Sequence, residues 1–164
     1  VLLIVARPAY AASGVDSWRS QFPNMKFVGS GVLTVLFMDI YKLNLYANEG
    51  HYSEHNDFVL EFEYFKPVAK STTIDASINE LTKPDNVTST EIKSWERILD
   101  KGILDMDAGE VASMSFTKEG IVTFYSADRS PISFEAPKFA KSFSSIWLGK
   151  NTFRPRLRQK LLGK

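Results

Sequence analysis

At 164 residues the chain is long enough for one domain with a real core, and at 44% hydrophobic and 13% aromatic it is too apolar to be disordered. Twenty basic and nineteen acidic residues leave a net charge of +1, which argues against a dedicated nucleic-acid binder. No cysteine is present, so disulfides and thiolate metal sites are excluded.

Val1 to Ala6 is a short apolar run, and Ala9-Tyr10-Ala11 has the small-x-small spacing of a leader cleavage site. Residues 1–11 therefore read as the remnant of a signal peptide, followed by a single domain over 12–164, and the mature protein is expected to be exported. The apolar run is far shorter than the ~20 residues that span a bilayer. Ser13 to Pro23 is polar and reads as irregular, with Trp18 and Phe22 as anchors.

From Met25 the pattern becomes β-like. Lys26 to Gly31 leads into an unbroken run from Val32 to Met38, and Tyr41 to Ala47 follows, all rich in β-branched and aromatic residues. Gly29 and Gly31 around Ser30 predict a bulge or a close backbone approach. Asn48-Glu49-Gly50 is turn chemistry. His51 and His55, with Glu54 and Asp57, have metal-binding side chains. Gly50, Ser53 and Asn56 place them in a solvated loop, not on the helix face that their spacing would need, so no metal site is expected.

Phe58, Leu60, Phe62 and Tyr64 alternate with Val59, Glu61 and Glu63 in the clearest strand. The two glutamates fall on its outward face, with no acid–base partner in view. Ser71 to Leu81 predicts a helix with Ile74, Ile78 and Leu81 on one stripe. Thr88 and Glu91 have capping-box spacing and open a second, with Ile92, Trp95 and Leu99 inward. Glu110 to Phe116 and Ile121 to Ser126 form a hairpin around Lys118-Glu119-Gly120, and Ile132 to Glu135 adds a short strand.

Pro137 to Leu162 reads as two short helices. Pro137 suits a first helical turn, and Phe139, Phe143, Ile146 and Trp147 share one face. A face so aromatic needs a broad apolar partner, most simply a sheet. Gly149 suits a left-handed cap. The tail carries Lys150, Arg154, Arg156, Arg158, Lys160 and Lys164 with no acid. That pattern fits a solvated helix face or, through Arg154, Arg156 and Arg158, attraction to anionic lipid or an envelope protein.

No catalytic constellation emerges. Ser115 and Lys118 have Ser-x-x-Lys spacing but run from a strand into a turn, whereas that motif needs a helix. There is no Gly-x-Ser-x-Gly elbow and no glycine-rich phosphate loop, and no cofactor is implied.

Phe143-Ser144-Ser145-Ile146-Trp147-Leu148-Gly149, then Leu157-Arg158 and Leu161-Leu162-Gly163, resembles the C-terminal signature of bacterial chalcone-isomerase-like proteins. Gly29-Ser30-Gly31 before a strand, Tyr41 to Ala47, Phe58 to Phe65 and the Ser115-Phe116 to Phe124 hairpin agree in order. The resemblance implies an α+β fold, an open-faced β-sandwich in which a large antiparallel sheet carries helices packed on one face. Plant members of that family close a chalcone into a flavanone, and related members are similar to fatty-acid binders. Both uses rest on an arginine a few residues after Gly-x-Gly that pairs with an oxyanion or carboxylate. The matching position here is Leu33, and no arginine lies between Arg19 and Arg97. A threonine of the next strand falls at Tyr41.

The resemblance thus implies a non-catalytic periplasmic protein that binds a small apolar ligand, a lipid or similar, between sheet and helices. Leu33, Phe37, Tyr41 and Trp147 are the expected wall. The alternatives are a chalcone-type isomerase working without the arginine, and an interaction module docking through its basic tail.

Overall fold

The computed structural model describes residues 14–164. The signal peptide read from residues 1–11 lies outside the described residues. Six strands form one antiparallel sheet in sequence order: β1 (Met25–Val35), β2 (Met38–Asn48), β3 (Phe58–Tyr64), β4 (Val111–Phe116), β5 (Ile121–Ser126) and β6 (Arg129–Glu135). Period-two alternation gives the sheet two unlike faces. On one, Leu43, Leu45, Phe58, Leu60, Phe62 and Phe124 are buried in a continuous core.

Four helices cover that face: α2 (Lys70–Leu81), α3 (Ser89–Gly102), α4 (Pro137–Leu148) and α5 (Pro155–Leu161). Leu81, Trp95, Leu99, Phe139, Phe143, Leu157 and Leu161 complete the core from their side. Phe139 and Phe143 stack with ring centroids 5.0 Å apart, and Phe143 reaches Phe116 and Phe124 at 6.5 and 6.4 Å. Full burial of such a ring contributes roughly 1.5–3 kcal/mol. The arrangement is the α+β open-faced sandwich expected from the sequence.

The capping box is formed as read. Thr88 Oγ1 accepts from the Glu91 amide at 3.2 Å, and the Glu91 carboxylate accepts from the Thr88 amide at 2.8 Å. The same carboxylate receives Lys138 Nζ at 2.7 Å, which ties the start of α3 to the start of α4 and holds the carboxyl below its usual range.

Gly29 and Gly31 mark a close approach. A Cβ at Gly29 would lie 2.2 Å from the Lys160 carbonyl oxygen, and one at Gly31 would lie 2.5 Å from Leu157 Cδ1. The glycines let α5 rest directly on β1. A bulge follows Phe27, where the pairing with β2 shifts register.

Four readings need correction. Gly149 is not left-handed, with φ −65° and ψ 146°. Its lack of a side chain matters because a Cβ there would lie 2.6 Å from the Ser145 carbonyl. Ser13 to Pro23 is not irregular: it holds a 3-10 turn at Gly14–Asp16 and helix α1 (Trp18–Gln21). These pack on the sheet face away from the other helices, where Trp18 is fully buried with Val59 and Tyr125. Glu61, read as outward, is consequently buried beneath them. Val32 to Met38 is not one strand, because the chain reverses at Leu36-Phe37 with φ of 48° and 65°. Positive φ at both central residues makes this a two-residue hairpin turn of the kind that normally takes Asn-Gly. Nothing in its composition signals it.

The contact at Gly29 is with rigid backbone, so Gly29→Ala must displace α5 and is expected to cost about 1–3 kcal/mol. Gly31→Ala meets side-chain atoms, the Leu157 Cδ1 at 2.5 Å and the Lys160 Cβ at 3.3 Å, and should cost less. Urea unfolding midpoints of the two variants measure the difference.

Candidate functional site

Leu33 pairs with Tyr41 across β1 and β2, and Tyr41 pairs with Tyr64 across β2 and β3. All three pack against the core on the helix-bearing face. The Tyr41 ring meets Phe62 edge-on at 5.2 Å and Tyr64 at 5.6 Å. From α4, Trp147 lies edge-on to Phe62 and to Phe143, each at 5.3 Å. Its Nε1 donates to Tyr41 Oη at 3.0 Å. Helical spacing from Phe143 to Trp147 and the register of the β1–β2 hairpin therefore converge on one aromatic seam between sheet and helix.

Three of the four expected wall residues, Leu33, Tyr41 and Trp147, meet in this seam. Phe37 does not: it is fully exposed at the hairpin tip. The reversal at Leu36-Phe37 carries it beyond the end of the sheet.

The electrostatics of the seam are those of a buried phenol. Burial pushes the Tyr41 hydroxyl up to about 12, against the hydrogen bond from Trp147 and the nearby Arg154 charge, which both favour ionisation. Burial also raises Tyr64, with Tyr41 adding to the effect. Tyr41 can donate a hydrogen bond at neutral pH but is a poor base there. Arg154 was read only as part of the basic tail. It precedes α5, and its Nη1 donates to the Thr34 carbonyl at 3.3 Å, which places a cation at the end of β1 beside the seam. Two other arginines serve elsewhere. Arg129 donates to the carbonyls of Lys101, at 2.7 Å, and Gly102. Arg158 Nε donates to the Leu148 carbonyl at 2.9 Å and so fastens α5 to α4.

On the opposite face, Glu61 accepts from Asn44 Nδ2 at 3.2 Å, Tyr46 Oη at 3.3 Å and Arg19 Nη2 at 3.4 Å. Arg19 also lies over the Trp18 ring, 4.2 Å from its centroid. This network gives a buried charge its partners and fixes α1 to the sheet. Asn44 Nδ2 also donates to Glu63 at 2.9 Å, so the two glutamates share a donor. A separate cleft of about 420 Å³ runs between the loop at Glu54 and the start of α4, edged by Lys118, Pro137 and Lys141. His51 and His55 are exposed on that loop.

The sequence profile of the chalcone isomerase-like family matches residues 13–163. The chain belongs to that family. No curated protein matches it significantly. Among solved structures it is similar to a fatty-acid binding protein of Arabidopsis thaliana, with a TM-score of 0.63 and 11% identity over 85% of this chain and 87% of that one. At that identity the likeness shows the shared fold. Within the chalcone isomerase-like fold the seam lies between sheet and helices, and Leu33 occupies the position that the resemblance assigns to an arginine.

Removing the Tyr41 hydroxyl leaves Trp147 Nε1 without its acceptor, so Tyr41→Phe is expected to cost about 1–3 kcal/mol. Because the folded phenol ionises above the unfolded one, its contribution is complete below about pH 10 and disappears as pH rises towards 12. Unfolding free energies of wild type and Tyr41→Phe across that window should converge as pH rises.

Proposed function

We propose that the protein is a non-catalytic binder of a small apolar ligand, of fatty-acid or similar lipid class, held at the seam between sheet and helices. The carrying observation is the composition of that seam: Leu33, Phe62 and Trp147 offer hydrocarbon and ring faces, and Tyr41 with Trp147 offers a single hydrogen-bonded pair. Such a mostly apolar lining with a few placed polar groups is what a lipid-sized ligand requires. Its polar pair does not supply a base that works at neutral pH, because Tyr41 holds its proton up to about 12. The fatty-acid binding protein from Arabidopsis thaliana supports the same reading, since it shares the architecture. The rings touch one another, so a ligand enters by turning Trp147 or Tyr41 outward. Both keep part of their side-chain surface open to solvent, although the Tyr41 hydroxyl itself is buried.

The apolar run Val1 to Ala6 and the spacing of Ala9-Tyr10-Ala11 support a place of action outside the cytoplasm, in the periplasm or beyond.

Native mass spectrometry of protein purified from its own cells is expected to show a co-purifying apolar ligand; repeatedly empty spectra would count against the reading. Leu33→Gln brings an amide to the wall at a cost of roughly 1–3 kcal/mol if it is left unpaired, so ligand occupancy should fall about tenfold. For the location, amino-terminal sequencing of the mature protein should begin at Ala12.

A further inference from the structure

The β1–β2 hairpin ends in an apolar tip that the core does not use. Leu36 is 82% exposed, Phe37 fully, and Met38 48%. The two turn residues hold φ of 48° and 65°, a left-handed conformation unfavourable for bulky side chains. Asn-Gly would fit the turn without strain and without exposing apolar surface. The observed pair therefore strains the backbone and leaves its side chains uncovered among the described residues.

Other exposed apolar rings lie at the same end. The Phe65 amide donates to the Ile40 carbonyl, which brings that ring alongside the start of β2. Phe153 comes with Arg154, whose guanidinium reaches the Thr34 carbonyl at 3.3 Å. Both rings are about half exposed. Cations accompany them: Lys83 Nζ lies 4.0 Å from the Phe153 ring centroid, and the Arg154 guanidinium lies 5.5 Å from it. Acids lie at this end as well, and Lys83 is itself ion-paired with one of them. Asp39 accepts from Thr34 Oγ1 at 2.6 Å, and Glu80 accepts from Lys83 at 2.6 Å.

We propose that this end of the molecule docks on an anionic lipid bilayer, with Leu36 and Phe37 inserted at the acyl boundary and Lys83 and Arg154 against the headgroups. A projecting apolar tip with basic flanks has the shape and charge order of such a surface, apolar below and anionic above. The inference is independent of the ligand reading, although Leu33 and Tyr41 lie on the same hairpin and docking would bring the seam close to the lipid.

Flotation with vesicles of equal parts phosphatidylglycerol and phosphatidylcholine, compared with phosphatidylcholine alone, tests it. The wild type should bind the mixed vesicles and lose binding as salt rises. The double change Leu36→Asn, Phe37→Gly should bind at least tenfold more weakly while unfolding at the same or a higher temperature, so that lost binding cannot be ascribed to a lost fold. Lys83→Ala and Arg154→Ala should each weaken binding about fivefold. In Phe37→Trp, the added emission should shift to the blue on the mixed vesicles. Absence of wild-type binding, equal binding by the double variant, or an unmoved Phe37→Trp emission would overturn the proposal. So would a concentration-dependent dimer abolished by the same double change, which would assign the tip to a second copy of the chain.

Discussion

Phe139, Phe143 and Trp147 repeat every four residues along α4 and meet the middle of the sheet at Phe62, Phe116 and Phe124. The other helices of that face are arranged around that contact. The Lys138–Glu91 bond fastens α3 to the start of α4, and the bond from Arg158 to the Leu148 carbonyl fastens α5 to its end. Two glycines in β1 then let α5 lie flat on the sheet edge. Because α4 is held in place at both ends, the Trp147 indole lies within hydrogen-bond reach of Tyr41.

The two faces of the sheet do different physical work. The helix-bearing face is mostly hydrocarbon, and in the seam a hydrogen bond from Trp147 to Tyr41 crosses the layers. The opposite face carries a buried carboxylate whose partners come from β2 and from α1. Burying Glu61 is tolerable only because Arg19 and the polar side chains of β2 surround it. That network specifies how the amino-terminal helix docks but offers no apolar volume. The ligand reading rests instead on the apolar lining of the seam.

Membership of the chalcone isomerase-like family accords with the architecture, and Leu33 stands where the resemblance assigns an arginine. A leucine at that position cannot stabilise an oxyanion. The arginine that does come near, Arg154, arrives from the connection between α4 and α5 and spends a hydrogen bond on the backbone of β1. Its distance along the chain from Leu33 is why the sequence pattern could not associate the two.

Local periodicity was enough to locate β3, the β4–β5 hairpin, α3 with its capping box, and α4, because each rests on side-chain spacing or on hydrogen bonds within a few residues. Leu33, Tyr41 and Trp147 come together as expected neighbours through the resemblance to the family, not through spacing. Other features depend on contacts between distant segments. Glu61 alternates like any outward strand residue, and its burial comes from Trp18 and Arg19, more than forty positions earlier. Phe37 has the composition of a strand interior, and its exposure follows from a reversal at residues that rarely make one. Sequence by itself determined which faces are apolar and therefore how the layers stack. Only tertiary structure decided where β1 ends, what covers the second face and which cation lies beside the seam, because those outcomes depend on backbone conformation and on partners that no short stretch of the chain contains.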